Sequence, residues 1–122
     1  MAVVFKICPL FKDSFAEIAA NNSKLVNRFE EFKKFKSQNP LANFGSNDLP
    51  LVGQGHFAKA VPGIKHAHLS RDVSVWYTIS GRDPTEIKLY GVFTHKDTGT
   101  GEPPNLKKQM SVASRLANQS FS

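Results

Sequence analysis

The sequence is poor in cysteine. It has one cysteine, Cys8, among 122 residues. A single thiol excludes a disulfide framework within the chain and a cysteine-based metal cluster. Cys8 ends an apolar run, so we expect a buried and unreactive thiol rather than a nucleophile.

Long apolar stretches are also missing. No run of the sequence approaches the length of a membrane span, and the first residues lack the basic and apolar segments of a secretory signal peptide. We therefore expect a cytoplasmic protein without a membrane partner. With 40% hydrophobic residues the chain is not expected to be disordered, and its length predicts a single domain, residues 1–122.

Acidic residues are few relative to basic ones. Asp and Glu number 10 against 16 Lys and Arg, which gives a formal net charge of +6. This balance favours a partner that carries phosphate, nucleic acid first, although charge that only maintains solubility is the alternative.

The N-terminal third predicts a strand followed by two helices. Residues 2–8 are apolar and rich in β-branched side chains, and Pro9 ends the run. Ser14 and Glu17 have the spacing of a capping box, which predicts that a short helix begins at Ser14 and continues to Ala20. Residues 24–36 place apolar side chains, three of them Phe, at helical spacing.

The remainder predicts a connector, a sheet and a last helix. Residues 38–63 hold three prolines and four glycines, Gly53 among them, and are expected to be irregular with one short strand near residues 56–60. Residues 64–69, 73–80 and 87–94 are expected to form an antiparallel meander. Residues 105–118 have the pattern of a helix. The fold class is therefore α+β.

Residues that could carry chemistry concentrate in the predicted sheet. His66 and His68 share one face of a strand, and His95 follows the last strand directly. Arg71 lies in a turn, and Tyr77 lies in the middle strand. Histidine can transfer protons near neutral pH, and arginine binds phosphate oxygens in pairs. The nearby cations that could bind RNA phosphates are Lys65, Lys96, Lys107 and Lys108.

Less specific interpretations of these residues stay open. His66 and His68 could be polar residues on the exposed face of an ordinary strand. A His-x-His pair can also present two ligands to zinc, but no acidic residue pairs obviously with it, so we expect no metal and no cofactor. Tyr77 lies on the same face of its predicted strand as Val73, Val75 and Ile79, which favours a core position over a catalytic one.

The order of these segments resembles the RelE/ParE toxin superfamily. The resemblance rests on residues 65–69, 73–79 and 87–96, with a helical hairpin before them and a helix after them. Within that superfamily the sequence is most similar to the YafO type. The look-alike positions are residues 44–48, His68-Leu69, His95-Lys96, Asn105 and Met110, and the likeness covers roughly residues 40–115.

The resemblance implies a RelE-like domain in which an N-terminal strand and helical hairpin pack on an antiparallel sheet. It further implies a metal-independent endoribonuclease that cleaves mRNA on the ribosome and is neutralised by a cognate antitoxin. His68 and His95 would be the acid–base pair, and Arg71 and Lys96 would bind phosphate. Related toxins often have arginine where this chain has Ser74, so Arg71 would have to replace it from the turn.

Two rival functions also fit the sequence. A toxin of the same fold could bind a protein target such as gyrase, and would not need the histidines. A non-catalytic module could bind RNA or the ribosome without cutting it.

Overall fold

The computed structural model describes residues 2–51 and 55–122. Gly53, one glycine of the predicted connector, lies outside the described residues. The strands are β1 Val3–Ile7, β2 Asp48–Pro50, β3 Lys65–His68, β4 Val73–Ser80 and β5 Thr85–Thr94. The helices are α1 Pro9–Ala19, α2 Ser23–Gln38, α3 Gly55–Ala60, α4 His95–Thr98 and α5 Leu106–Ala117.

One sheet with the order β1-β5-β4-β3-β2 organises the domain. The predicted meander of β3, β4 and β5 is confirmed, and β2 adds a further antiparallel strand beside β3. The first strand, however, pairs in parallel with β5, so the sheet is mixed. The α+β class, with the N-terminal strand, the helical hairpin and the C-terminal helix, is confirmed.

The central strand β4 is buried on both faces along residues 73–77. Tyr77 is 0% exposed and packs edge-on against Phe32 of α2 at 5.4 Å. Trp76, on the opposite face, is 3% exposed and packs against Phe57 of α3 at 4.9 Å. The core position of Tyr77 is therefore confirmed.

Two local expectations are wrong. Helix α1 begins at Pro9 rather than at Ser14, because proline is well suited to the first helical position. Ser14 instead lies within the helix, where its hydroxyl accepts a hydrogen bond of 3.0 Å from the Val92 amide. The short strand of the connector is Asp48–Pro50, whereas residues 56–60 belong to helix α3.

The last helix buries one stripe of its surface. Val112 and Leu116 are buried, as their spacing suggests. Leu106 and Met110 are 65% and 53% exposed because they lie to one side of that stripe. No helix in the described part of the chain has both the length and the apolar character needed to cross a membrane.

A buried ion pair fixes the connector to the sheet. Lys36 and Asp48 are 0% and 1% exposed, and Lys36 Nζ lies 2.8 Å from Asp48 Oδ2. Asp48 also accepts hydrogen bonds from the Tyr77 hydroxyl and, at 2.7 Å, from the Phe44 amide. Lys36 donates to the Ala42 carbonyl at 2.6 Å. Both ends of the loop between α2 and β2 are thereby held to the core.

Burial opposes ionisation of Asp48, but hydrogen bonds from Lys36, Tyr77 and the Phe44 amide outweigh it and lower the pKa of the carboxyl group. The ionised form is therefore favoured in the folded protein. Its contribution to stability is present above the unfolded value of about 4 and is lost as the pH falls through the lower folded value.

We predict that Asp48→Ala lowers the free energy of unfolding by about 3–5 kcal/mol at neutral pH, because it leaves the Lys36 ammonium buried without its partner. Chemical denaturation measures the change. Glu31→Ala is the control, since it breaks the surface pair with Arg28 and should cost less than about 1 kcal/mol. Equal losses in the two variants would contradict the role given to Asp48.

Candidate active site

Three histidines meet at one end of the sheet. The His66 and His68 ring centroids are 5.1 Å apart, and those of His68 and His95 are 6.1 Å apart. Strand β3 supplies the first two on one face, and His95 begins α4 directly after β5. We call these three residues the histidine cluster.

Each ring of the histidine cluster is oriented through its Nδ1 atom. His66 Nδ1 lies 2.9 Å from the Leu49 carbonyl, and His68 Nδ1 lies 3.1 Å from the Asn47 carbonyl. A carbonyl oxygen only accepts hydrogen bonds, so Nδ1 must carry the proton in both rings. Nε2 is then the basic nitrogen of each neutral imidazole.

Asp72 performs the same task for His95. Its Oδ1 atom accepts a hydrogen bond of 3.3 Å from the His95 backbone nitrogen and lies 3.2 Å from His95 Nδ1, within ion-pair distance. The contact becomes an ion pair whenever His95 is protonated. All three histidines therefore have an acceptor oxygen near Nδ1, which favours Nε2 as the atom available for chemistry.

The pKa of His66 is lowered, first because the ring is partly buried and then because His68 and His95 carry like charge when protonated. The hydrogen bond to the Leu49 carbonyl acts in the opposite direction and is outweighed. His66 is consequently neutral at physiological pH, the form that can take a proton.

Two cationic pockets flank the histidine cluster. One, of about 340 Å³, is lined by His68, Arg71 and Arg28 together with the loop at residues 44–47. The guanidinium of Arg28 also lies over the Phe44 ring, 4.3 Å from its centroid. Arginines so placed can bind phosphate oxygens in pairs.

The other cationic pocket lies on the far side of His95. It measures about 500 Å³ and is lined by His95, Lys96 and Lys108, and the acidic residues Asp72 and Glu102 line it as well. Lysine ammonium groups bind phosphate as point charges. Cationic side chains thus lie on both sides of the cluster, accompanied on the His95 side by two carboxylates.

Several residues predicted from sequence lie elsewhere. Tyr77 is buried on the opposite face of the sheet, where burial and its hydrogen bond to Asp48 raise the pKa of its hydroxyl, so we give it no catalytic role. Lys65 is directed to the same buried network, with Nζ 3.8 Å from Asp48 Oδ1 and 20% of its side chain exposed. Lys107 is exposed on the first turn of α5 and does not line the pocket that contains Lys108.

Other site residues were missed by sequence reasoning. Asp72, Asn47 and Leu49 act through single oxygen atoms brought in by the fold, and of the three only Asn47 lies in a stretch that the resemblance singled out, residues 44–48. Arg28 lies on the polar face of α2, and the helical pattern alone does not distinguish it from the other charged residues there. Ser74, the position without arginine, is buried and accepts a hydrogen bond of 3.1 Å from the Trp76 indole.

Metal binding finds no support in the described residues. Their His, Cys, Asp and Glu side chains form no group of three arranged to hold an ion. The absence of a cofactor stays a prediction.

The fold is similar to those of solved toxin structures. A YoeB/ParE toxin from Agrobacterium tumefaciens matches with a TM-score of 0.58 and 16% identity over 78% of this chain and 99% of its own. A chain of the E. coli DinJ-YafQ toxin-antitoxin complex matches with a TM-score of 0.58 and 18% identity over 79% of this chain and 96% of its own. A second structure of that complex gives a TM-score of 0.56, 18% identity and coverages of 75% and 92%.

These likenesses place the chain in the fold class of RelE-like toxins. At this level of identity they show the fold and not the activity. No protein-family model and no characterised protein matches the sequence itself.

We predict that His68→Gln raises the pKa of His66 toward the ordinary value of about 6.5, because it removes a neighbour that carries like charge when protonated. NMR titration of the imidazole Cε1 proton measures the change. His56→Gln is the control, since His56 packs on Phe57 outside the cluster. An unchanged His66 titration in His68→Gln would contradict the proposed proximity.

Proposed function

We propose that this chain is the toxin of a type II toxin–antitoxin pair and acts as a metal-independent endoribonuclease that cleaves mRNA on the ribosome, thereby inhibiting translation. The observation that carries the proposal is the histidine cluster, in which every Nδ1 lies within 3.2 Å of an acceptor oxygen and basic side chains line a pocket on each side. Its partners would be mRNA, the ribosome and a cognate antitoxin, all in the cytoplasm.

The chemistry requires two proton transfers. A base removes the proton of a ribose 2′-hydroxyl, and the 2′ oxygen attacks the adjacent phosphorus. The bond from phosphorus to the 5′ oxygen breaks, and an acid protonates that leaving oxygen. The products are a 2′,3′-cyclic phosphate and a 5′-hydroxyl end, and no external co-reactant is needed.

His68 and His95 are assigned to these transfers. They come from different elements, so a phosphate placed between them could be approached from two sides. His66 is a neutral imidazole beside His68 and would support the proton transfer that His68 performs. General acid–base catalysis by such groups contributes about 10²–10⁴-fold to a rate.

The cationic pockets would hold the RNA backbone on either side. Arg71, with Arg28 beside it, would bind one phosphate and take the place of the arginine that related toxins have where this chain has Ser74. Lys96 and Lys108 would bind another. Cationic side chains that are already in position before the reaction also stabilise the negative charge that builds on the phosphate during cleavage.

The finer assignments rest on resemblance. The YafO type is proposed from the sequence likeness, and an antitoxin partner agrees with the DinJ-YafQ structures, which are named as a toxin-antitoxin complex. The rival interpretation, a toxin that binds gyrase, remains distinct because it does not require the histidines.

We predict that induction of the chain in cells arrests growth and creates new mRNA 5′ ends, mapped by primer extension. The double variant His68→Gln with His95→Gln should lose both effects, and each single variant should lower purified cleavage by about 10²–10⁴-fold. His56→Gln is the matched control, since it alters the histidine outside the cluster.

Two results would overturn this assignment. Cleavage and growth arrest that persist in the double variant would show that the histidines are not the acid–base pair. DNA damage without new mRNA ends would favour the gyrase interpretation.

A further inference from the structure

A third pocket opens directly on the histidine cluster and differs from the cationic pockets. It has a volume of about 220 Å³, and His66 and His95 both line it. Pro50, Leu51 and Trp76 form apolar walls, while Ser74 and three threonines contribute hydroxyl groups. None of the described residues that line it is Lys, Arg, Asp or Glu.

This lining suits a flat, uncharged ring with polar edges. Apolar walls and an indole accept a ring, and histidine rings can stack on a nucleobase. Hydroxyl groups can donate or accept hydrogen bonds, and a base edge presents both kinds of partner. The volume is below the roughly 300 Å³ at which pockets for drug-sized ligands begin, so it fits one ring system better than a whole nucleotide.

We propose that this pocket binds a single nucleobase of the RNA strand next to the bond that is cut. That the ligand is RNA rests on the proposed function. The proposal adds that the base is recognised in this pocket, whereas the phosphates are bound in the two cationic pockets. A base seated here would bring its ribose toward His66 and His95, while the adjoining phosphates would extend toward Arg71 and toward Lys96.

The polar side of the pocket is held in a fixed arrangement. Thr98 Oγ1 lies 2.8 Å from Thr100 Oγ1 and within hydrogen-bond distance of the Thr94 and His95 carbonyls. The Ser74 hydroxyl accepts from the Trp76 indole and keeps its own proton to donate. Such fixed donors and acceptors could discriminate between bases.

The indole wall is equally constrained. The Phe93 ring packs edge-on against Trp76 at 5.2 Å. Phe93 occupies the space that a Cβ atom on residue 91 would fill, so Gly91 is needed for this packing. Trp76 is the one tryptophan of the chain and therefore reports on the pocket by its fluorescence.

The experiment titrates the protein with 2′-O-methyl trinucleotides, which cannot be cleaved because they lack the 2′-hydroxyl. The central position carries adenine, cytosine, guanine, uracil or no base, and Trp76 fluorescence is recorded. We expect at least one base-bearing trinucleotide to change the emission and to bind about tenfold more tightly than the abasic one.

A substitution in the pocket tests whether base-dependent binding takes place there. Thr100→Leu places bulk on the half-buried rim of the pocket, and should reduce the affinity for the preferred trinucleotide to that for the abasic one. Ser80→Leu is the control because Ser80 is exposed at the far end of β4 and should not alter binding.

Equal affinity for base-bearing and abasic trinucleotides would overturn the base pocket, and so would an unchanged base preference in Thr100→Leu. Either result could accompany normal mRNA cleavage, in which case the proposed function would stand alone. Base-dependent binding that Thr100→Leu abolishes would support the pocket even in a protein that cuts no RNA.

Discussion

The buried contact between Asp48 and Lys36 is the constraint on which the candidate site depends. A carboxylate and an ammonium at 0% side-chain exposure must stay together, because either one alone would be a buried charge without a partner. Asp48 lies between Asn47 and Leu49, whose carbonyls orient His68 and His66. The interaction that anchors the connector therefore also sets the imidazole rings, from the opposite face of the sheet.

Because side chains alternate along the strands, the residues that anchor the connector and the residues of the reactive surface lie on opposite faces of the sheet. On one face, Tyr77 and Lys65 meet Asp48. On the other, Trp76 and His66 are register partners, as are Ser74 and His68. A sheet with helices over both faces can thus hold a polar network on one side and a reactive surface on the other.

Much of this arrangement could be predicted from local sequence. Alternation in residues 73–80 places Tyr77 in the core. The same period of two in residues 65–68 puts His66 and His68 on one face of their strand. The same rule separates Lys65 from His66, which the expectation that Lys65 binds phosphate did not take into account. The predicted helix start at Ser14 was wrong because a capping-box spacing also occurs inside helices. Pro9 was the stronger signal for the start of α1.

The rest depends on contacts between distant parts of the chain. Asp72 reaches His95 across 23 positions and Asn47 reaches His68 across 21, and no periodicity encodes such pairs. Arg28 joins the site because the loop after α2 returns beside it, so its role follows from the loop's anchor at Asp48 and not from the helix pattern.

The chemistry of the RNA ends produced by the purified protein tests the central claim most directly. In buffer with a chelator, the account predicts products with 2′,3′-cyclic phosphate and 5′-hydroxyl ends, because two histidines transfer the protons and no metal-bound water takes part. Products with 5′-phosphate ends, or cleavage that stops on chelation and returns with added metal, would contradict it.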